Sequence, residues 1–431
     1  MIEKTMNLST RMAVLLALVT ILPARGQFSE RIDVSAIEIP AVVRDASGKV
    51  PHDLKPEDFI LLEDGVEQQI IGIEYMHPVS LPVTEKPVSG EAAVAATRER
   101  GQIVIFVQQT LSSTYGLRAS MKALAAQAEM LVRLGDVEVV ADDPTPHVVL
   151  PATGDAARVR AACEDLANGA AGHAEIVRLR TDLLQDRNSA VEAGTQAARM
   201  NSDPAAKARA SAAVAQAARA RALTSARQES IVLRARQNAL LSWISRYPSA
   251  EQKRLRALLL VTDGFDVGLE FYEPLVAADQ LSFLRSLSAA PYQQEINRTI
   301  AAAGWTIVSV APGWATAAPE FDVSSSGRGS VGVSSFTSTN LHPLDPLNEL
   351  ARESGGSVAT DMRRLPADLG AIGERVSIAY QVRRPRDGKV HRVEIKSRRP
   401  GVTVRAQQWV VSGTPDAVDT ARATTLAGGR G

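Results

Sequence analysis

The stretch RALLLVTDGFD, residues 256–266, decides the fold class of this chain. Five consecutive apolar residues end at Thr262, and Asp263 and Gly264 follow at once. A short, continuously apolar run is typical of a strand that is buried on both faces, as in a parallel sheet covered by helices. The run therefore places Asp263 at the rim of a buried sheet, where it either binds a metal ion or a ligand or only begins a turn.

Further apolar strands recur along the chain with helical segments between them. They are QIVIFV (102–107), VEVVAD (137–142), HVVLPAT (147–153) and WTIVSVAP (305–312). An amphipathic helix is predicted after the first of them, and the sequence DDP at 142–144 predicts a turn between the second and the third. Strands that alternate with helices indicate a doubly wound α/β domain with a mostly parallel sheet, which we place at residues 102–375.

Strands with a period of two flank this domain on both sides. Residues 27–76 predict an N-terminal β module with a hairpin at the Asp-Gly pair 64–65, and residues 77–101 predict a linker. Residues 376–411 predict a three-stranded β meander, which a disordered tail follows at 412–431. We expect the N- and C-terminal flanking strands to form a small β module beside the α/β domain.

Two segments interrupt the predicted domain. The interval of about 155–245 is helical, with Asp203 and Pro204 at a helix start, and 11 of the 18 residues 205–222 are alanine. Such a helix propagates readily but buries little apolar surface. We interpret it as a long helical insert that stands off the core, as a partner surface or as mobile filler. Residues 313–346 are rich in serine and glycine and predict a flexible loop.

The N-terminus has the pattern of a secretory signal peptide at residues 1–26. Lys4 and Arg11 accompany an apolar stretch at 12–22, and small residues before Gln27 predict cleavage after residue 26. The apolar stretch is shorter than the ~20 residues that a bilayer span needs. We therefore expect an exported protein, periplasmic or secreted, that has no transmembrane segment after cleavage.

The composition argues against several classes of function. Lys+Arg and Asp+Glu both number 48, and aromatic residues make up 4% of the chain, so we expect no nucleic-acid partner. The single cysteine, Cys163, excludes an internal disulfide, and its apolar helical context predicts a core thiol. The chain has no Walker-type loop, no GxSxG and no HExxH motif, which favours a non-enzymatic function.

Six landmarks in a fixed order carry a family resemblance. They are VRDASGKVPHDLKPEDFILLEDGVEQQI (43–70), IVIFV (103–107), RALLLVTDGFD (256–266), GWTIVSV (304–310), LNELARESGGSV (347–358) and YQVRRPRDGKVHRVEIKSRRPGVTVRAQQWV (380–410). In these features the chain resembles the von Willebrand factor type A-related proteins of acidobacteria, over roughly residues 32–411 apart from the two interrupting segments. The resemblance implies an exported protein with a short β module before the type A domain and a β meander after it.

The resemblance also implies a metal-ion-dependent adhesion site at the carboxyl ends of the strands. The family's site combines Asp-x-Ser-x-Ser after the first strand, a threonine from a second loop and an Asp after the fourth strand. In this chain Gln108 stands where the first Asp belongs, while Thr110 and Ser112 match the two serines. Asp263 matches the later Asp, and Thr153 is a candidate for the loop threonine.

The neutral Gln108 lowers the affinity that we expect for a divalent ion, because hard cations prefer charged oxygen ligands. We therefore expect a ligand-facing rim with a degenerate metal site and no cofactor. The function that we expect is an exported, non-enzymatic module that binds a protein partner in the cell envelope or outside the cell. One alternative is an adhesion protein that holds Mg²⁺ or Mn²⁺ with Thr110, Ser112 and Asp263, and another is an envelope enzyme.

Overall fold

The computed structural model describes residues 36–76, 100–200, 203–247, 255–314, 343–382 and 387–411. The predicted signal peptide and the predicted tail lie outside these ranges. So do nearly all of the predicted linker and most of the serine- and glycine-rich segment. The expectations for these four regions therefore stay predictions.

Fourteen strands lie within the described residues. In chain order they are β1 (Ala36–Arg44), β2 (Phe59–Glu63), β3 (Val66–Gln68), β4 (Ile70–Met76), β5 (Gly101–Val107), β6 (Gly135–Asp142), β7 (Pro146–Thr153), β8 (Arg256–Val261), β9 (Thr306–Val310), β10 (Ser357–Ala359), β11 (Arg375–Gln381), β12 (Val390–Ser397), β13 (Thr403–Ala406) and β14 (Trp409–Val411).

Nine α-helices accompany these strands in the part of the chain that the structure describes. They are α1 (Thr114–Ala126), α2 (Ala128–Leu134), α3 (Ala156–Asn168), α4 (Glu175–Met200), α5 (Pro204–Ile244), α6 (Leu281–Ser286), α7 (Ala290–Ala302), α8 (Asp345–Ser354) and α9 (Leu365–Gly373). Among the described residues, no helix combines the length and the apolar character that a membrane span requires.

The central sheet contains six strands in the order β10-β9-β8-β5-β6-β7. Neighbouring strands are parallel, except that β7 runs antiparallel to β6. The chain starts in the middle of the sheet at β5, adds strands on one side as far as β7 and then returns to add β8, β9 and β10 on the other side. The predicted α/β class with a mostly parallel sheet is confirmed. Strands are added on both sides of β5, as in a doubly wound sheet.

Helices cover both faces of this sheet, which explains its continuously apolar strands. On the first face, α1, α2, α3 and α9 contribute side chains such as Leu117, Cys163 and Leu369 to the core. On the second face, the C-terminal half of α5 packs together with α7 and α8, through side chains such as Leu240 and Ile300. Cys163 is fully buried, so the predicted core thiol is confirmed.

The flanking strands form two four-stranded sheets, in the orders β13-β1-β11-β4 and β14-β12-β2-β3. Ile39, Leu61 and Ile378 belong to the core that these sheets share. The predicted three-stranded meander at 376–411 is wrong, because β11 pairs with β1 and β4, β12 with β2 and β14, and β13 with β1. β11, β12 and β13 each hydrogen-bond to an N-terminal strand, and β14 pairs with β12, so the two ends of the described chain build one β module together.

The predicted hairpin at Asp64-Gly65 is present between β2 and β3. Glu63 faces Val66 across the pair, and only two residues lie between them. Asp64 and Gly65 have φ angles of 49° and 83°, the left-handed values that a two-residue turn needs to follow the twist of its strands.

The helical interval predicted at about 155–245 divides into parts with different roles. α3 and the C-terminal half of α5 cover the two faces of the central sheet and are integral to the core. Only the distal parts of α4 and α5 form an appended hairpin, beyond the ion pair between Asp186 and Arg221 at 3.3 Å. Asp203 caps α5 by accepting from the Ala205 amide at 3.0 Å, as its sequence predicts.

This division predicts two different outcomes for two deletions. Replacing 188–218 by a short glycine-rich turn removes only the appended hairpin, so we expect the melting temperature to stay within a few degrees of that of the intact chain. Deleting 170–235 removes Ile176 and Leu233 from the core and should prevent folding. Circular dichroism melts of both purified variants check this, and an unfolded first variant would contradict it.

Candidate functional site

The carboxyl ends of β5, β8 and β9 meet at one edge of the central sheet. We call this edge the rim and define it by the loops 108–113, 262–269 and 311–314, which follow those three strands. Parallel α/β sheets bind ligands at this edge, because the loops and the helix N-termini converge there. The rim contains Asp263 and the other sequence-predicted positions except Thr153.

Asp263 is buried, with 2% of its surface exposed. The backbone N–H of Ser113 donates to its Oδ2 at 2.7 Å, and the Gly313 amide also donates to the carboxylate. Ser113 caps α1, since its Oγ accepts from the Gly116 amide at 3.0 Å. One carboxylate therefore connects the end of β8, the N-terminus of α1 and the loop after β9.

Two glycines make room for this carboxylate. A Cβ atom at position 116 would lie 1.9 Å from Oδ1 of Asp263, and one at position 313 would lie 2.3 Å from the same atom. Any larger residue at Gly116 or Gly313 would displace the carboxylate. The sequence carries one signal for this contact, since Gly116 stands three residues after Ser113, a residue type that commonly caps helices.

Burial raises the pKa of Asp263 above its ordinary value, because the charged form loses hydration. The hydrogen bonds from Ser113 and Gly313 act in the opposite direction. The Asp263 side chain is an internal acceptor for backbone amides. Of the two roles that the sequence allows for it, this is the structural one, in which it begins a turn.

The backbone of Gln108 and the hydroxyl of Ser112 form hydrogen bonds that hold the loop after β5. Gln108 is 2% exposed, and its backbone N–H donates to the Val261 carbonyl at 2.9 Å. The Ser112 hydroxyl donates to the Gln108 carbonyl at 2.8 Å. Thr110 is half-buried in the short 3₁₀ turn Gln109–Leu111. The structure thus brings Gln108, Thr110 and Ser112 to the same edge as Asp263.

These residues do not fit a divalent metal ion. Mg²⁺ needs several oxygen ligands directed at one point. The Asp263 carboxylate faces α1 and is enclosed by glycine backbone, whereas Gln108 follows Phe106 by two residues and so belongs to the opposite face of the sheet. Within the described ranges, no group of three His, Cys, Asp or Glu side chains is placed to hold a metal ion.

Thr153 lies at the opposite edge of the sheet. It faces Val137 near the start of β6, whereas the rim is at the strand ends. Its Oγ1 accepts from the Asp155 amide at 3.2 Å, next to the cap of α3. The prediction of Thr153 as the loop threonine is wrong, because β7 runs antiparallel and carries its end away from the rim.

A segment before α4 covers the loop after β5. The His173 amide donates to the Gln109 carbonyl and the Ala174 amide donates to the Ser112 carbonyl, both at 3.0 Å. His173 Nε2 lies 2.9 Å from Oδ2 of Asp143, which belongs to the turn after β6. The sequence does not indicate these contacts, because they join residues that are at least 30 positions apart.

A buried ion cluster attaches the helical insert to the rim. Arg180 of α4 forms a two-pronged ion pair with Glu229 of α5, in which Nε donates to Oε2 at 2.9 Å. Arg180 also contacts Asp266 at 3.3 Å, and the Tyr272 hydroxyl donates to Glu229 at 2.8 Å. The adjacent cavity, lined in part by Arg180 and Gly264, measures about 10 Å³, room for a single water.

Two aromatic side chains are exposed beside Asp263. Tyr115 and Trp314 are 66% and 39% exposed, and each directly follows or precedes a glycine that encloses the carboxylate. Both residues therefore lie at the rim, one at the start of α1 and the other after β9. Among the described residues, Phe283 is the only other exposed aromatic side chain (Phe, Tyr or Trp).

Comparison of the chain with protein-family models, with curated proteins and with solved structures finds no match.

The geometry predicts that Asp263→Ala destabilises the protein by about 2–4 kcal/mol, because two buried amides lose their acceptor. The control is Asp279→Ala, which changes an exposed carboxylate. Thermal melts with and without Mg²⁺ or Mn²⁺ should give the same melting temperature for the unaltered protein. A rise with metal that Asp263→Ala abolishes would contradict the internal role of Asp263.

Arg180→Met should destabilise the protein by about 3–5 kcal/mol, because it leaves the buried Glu229 without a counter-charge. Adding Glu229→Leu should recover much of this loss. Arg178→Met is the matched control, since Arg178 is an exposed neighbour on the same helix whose ion pair with Glu175 contributes little. Urea unfolding of the four proteins measures these differences, and a mild effect of Arg180→Met alone would refute the argument.

Proposed function

We propose that this chain is a non-enzymatic binding protein that contacts a protein partner through the rim, without a metal ion. The observation that carries the proposal is the exposure of Tyr115 and Trp314, each of which is adjacent in sequence to a glycine that packs against the enclosed Asp263. Tyrosine and tryptophan contribute much of the binding energy at protein interfaces, because they bury large rigid surfaces. The neutral loops around them offer backbone and hydroxyl groups for hydrogen bonds.

We further propose that the α/β domain is of the von Willebrand factor type A kind and that the chain belongs to the related exported family. The strand order of the central sheet, with its antiparallel edge strand, supports this assignment, as do the position of Asp263 after β8 and the order of the sequence landmarks. The signal-peptide pattern supports export, so the partner is sought in the cell envelope or outside the cell.

The internal use of Asp263 supports binding without metal. In a metal-dependent adhesion site, the ion keeps a position open for a carboxylate of the partner. Here the carboxylate is saturated by backbone donors and shielded from solvent. A partner would instead pack against the aromatic side chains, so its affinity should not depend on divalent ions.

The test is affinity capture by the full mature protein from its own envelope fraction, followed by identification of the partner and direct titration with the purified partner. Tyr115→Ala combined with Trp314→Ala should weaken binding at least tenfold, and EDTA should leave it unchanged. Phe283→Ala is the control, because Phe283 is a 43% exposed aromatic residue on α6, away from these loops. Unchanged affinity in the double variant, or loss with EDTA, would overturn the proposal.

A further inference from the structure

Two buried oxygen atoms near the rim have no hydrogen-bond partner among the described residues. One is Oδ2 of Asp142, at the end of β6, and the other is Oε1 of Gln108, at the end of β5. Both side chains are almost completely buried. Unpaired buried acceptors are rare and destabilising, so a pair of them calls for a donor between them.

The register of the sheet places these two side chains next to each other. Val107 of β5 faces Ala141 of β6, so the following residues, Gln108 and Asp142, are lateral neighbours. Two residues earlier, Phe106 and Val140 both pack on the second face of the sheet, to which Gln108 and Asp142 therefore also belong. Neighbouring strands are ~4.8 Å apart, a distance that these side chains span.

The surrounding charges decide which donor fits. Oδ1 of Asp142 already accepts from Nη1 of Arg236 at 2.8 Å. A metal cation would add positive charge beside this guanidinium, and the two unpaired oxygen atoms would be too few ligands for it. A proton on Oδ2 needs no additional space, turns one of the two acceptors into a donor and satisfies both atoms at once.

We propose that, at mildly acidic pH, Asp142 is a neutral carboxylic acid in the folded protein and that its Oδ2–H donates to Oε1 of Gln108. The bond connects the first residue of the rim loop to the neighbouring strand. It makes the attachment of that loop dependent on pH, because loss of the proton leaves Gln108 Oε1 unpaired and creates a buried charge. This inference concerns the stability of the rim and does not depend on the proposed partner.

The electrostatics around Asp142 agree with the proposal. Burial raises the pKa of Asp142 to about 6, although Arg236 acts to lower it. Asp143 raises the pKa and His147 lowers it; Asp143 itself pairs with His173. A hydrogen bond that only the neutral acid makes raises the pKa further.

The sign of the pH dependence follows from linkage. Because the folded protein holds the proton more tightly than the unfolded chain, Asp142 stabilises the fold below its ordinary pKa of 3.8 and loses that contribution as the pH rises through about 6. The difference between these two pKa values corresponds to a roughly 100-fold decrease of the folding equilibrium constant as the pH rises from the lower to the higher value.

Asp142→Asn tests the proposal, because the asparagine amide mimics the neutral acid: its N–H donates to Gln108 while its oxygen accepts from Arg236. Folding equilibrium constants of both proteins are measured from about pH 4 to pH 8. We expect similar values at the acid end and a roughly 100-fold advantage for Asp142→Asn at the alkaline end. Asp136→Asn, at the opposite end of β6 and paired with Arg100, is the control and should show no such gain.

An ionised Asp142 predicts the opposite result. Asp142→Asn would then break a buried ion pair and be less stable than the unaltered protein at alkaline pH, which would overturn the proposal. Infrared difference spectra provide a second readout at pH 5. We expect a protonated-carboxyl band in the unaltered protein. This band should be absent in Asp142→Asn and should shift to higher frequency in Gln108→Met. Absence of that band in the unaltered protein would also refute the proposal.

Discussion

The hydrogen bonds to the Asp263 carboxylate are the contact on which the rim depends. They join the end of β8 to the N-terminus of α1 and to the loop after β9. The carboxylate is close to the positive end of a 13-residue helix, which favours its negative charge. Gly116 and Gly313 allow this approach, and Tyr115 and Trp314 are their neighbours in the chain.

The insert is attached to the same edge by two further contacts. The segment at 172–174 pairs with the loop after β5, and Arg180 reaches Asp266 in the loop after β8. Each contact is buried or backbone-mediated, so the base of the insert and the rim form one packed unit. Among the described residues of the appended hairpin, between Asp186 and Arg221, no side chain is buried. The insert therefore combines an integral base with a projecting end.

Much of the fold could be predicted from the sequence. Buried parallel strands are recognisable as unbroken apolar runs, and the Asp-Gly pair indicates the hairpin at 64–65. Pairing partners could not be predicted, since period-two patterns do not say which strand lies beside which. For this reason the prediction of a meander at 376–411 was wrong. The prediction for Thr153 was wrong because the sequence of a strand does not show its direction in the sheet. The apolar strand before Asp263 was enough to predict that Asp263 lies at the rim. Its role as a hydrogen-bond acceptor could not be predicted, because the donor Ser113 is 150 residues away in sequence.

A neutral rim and an enclosed carboxylate fit together physically. Charge at an interface must lose its water before a partner can dock, and that loss often cancels the attraction gained. In this protein the fold itself already removes Asp263 from water. Under the proposed function, a partner would meet aromatic carbon and hydroxyl groups, whose desolvation is much less unfavourable. The enclosure of Asp263 and the exposure of Tyr115 and Trp314 would then both favour binding without a metal ion.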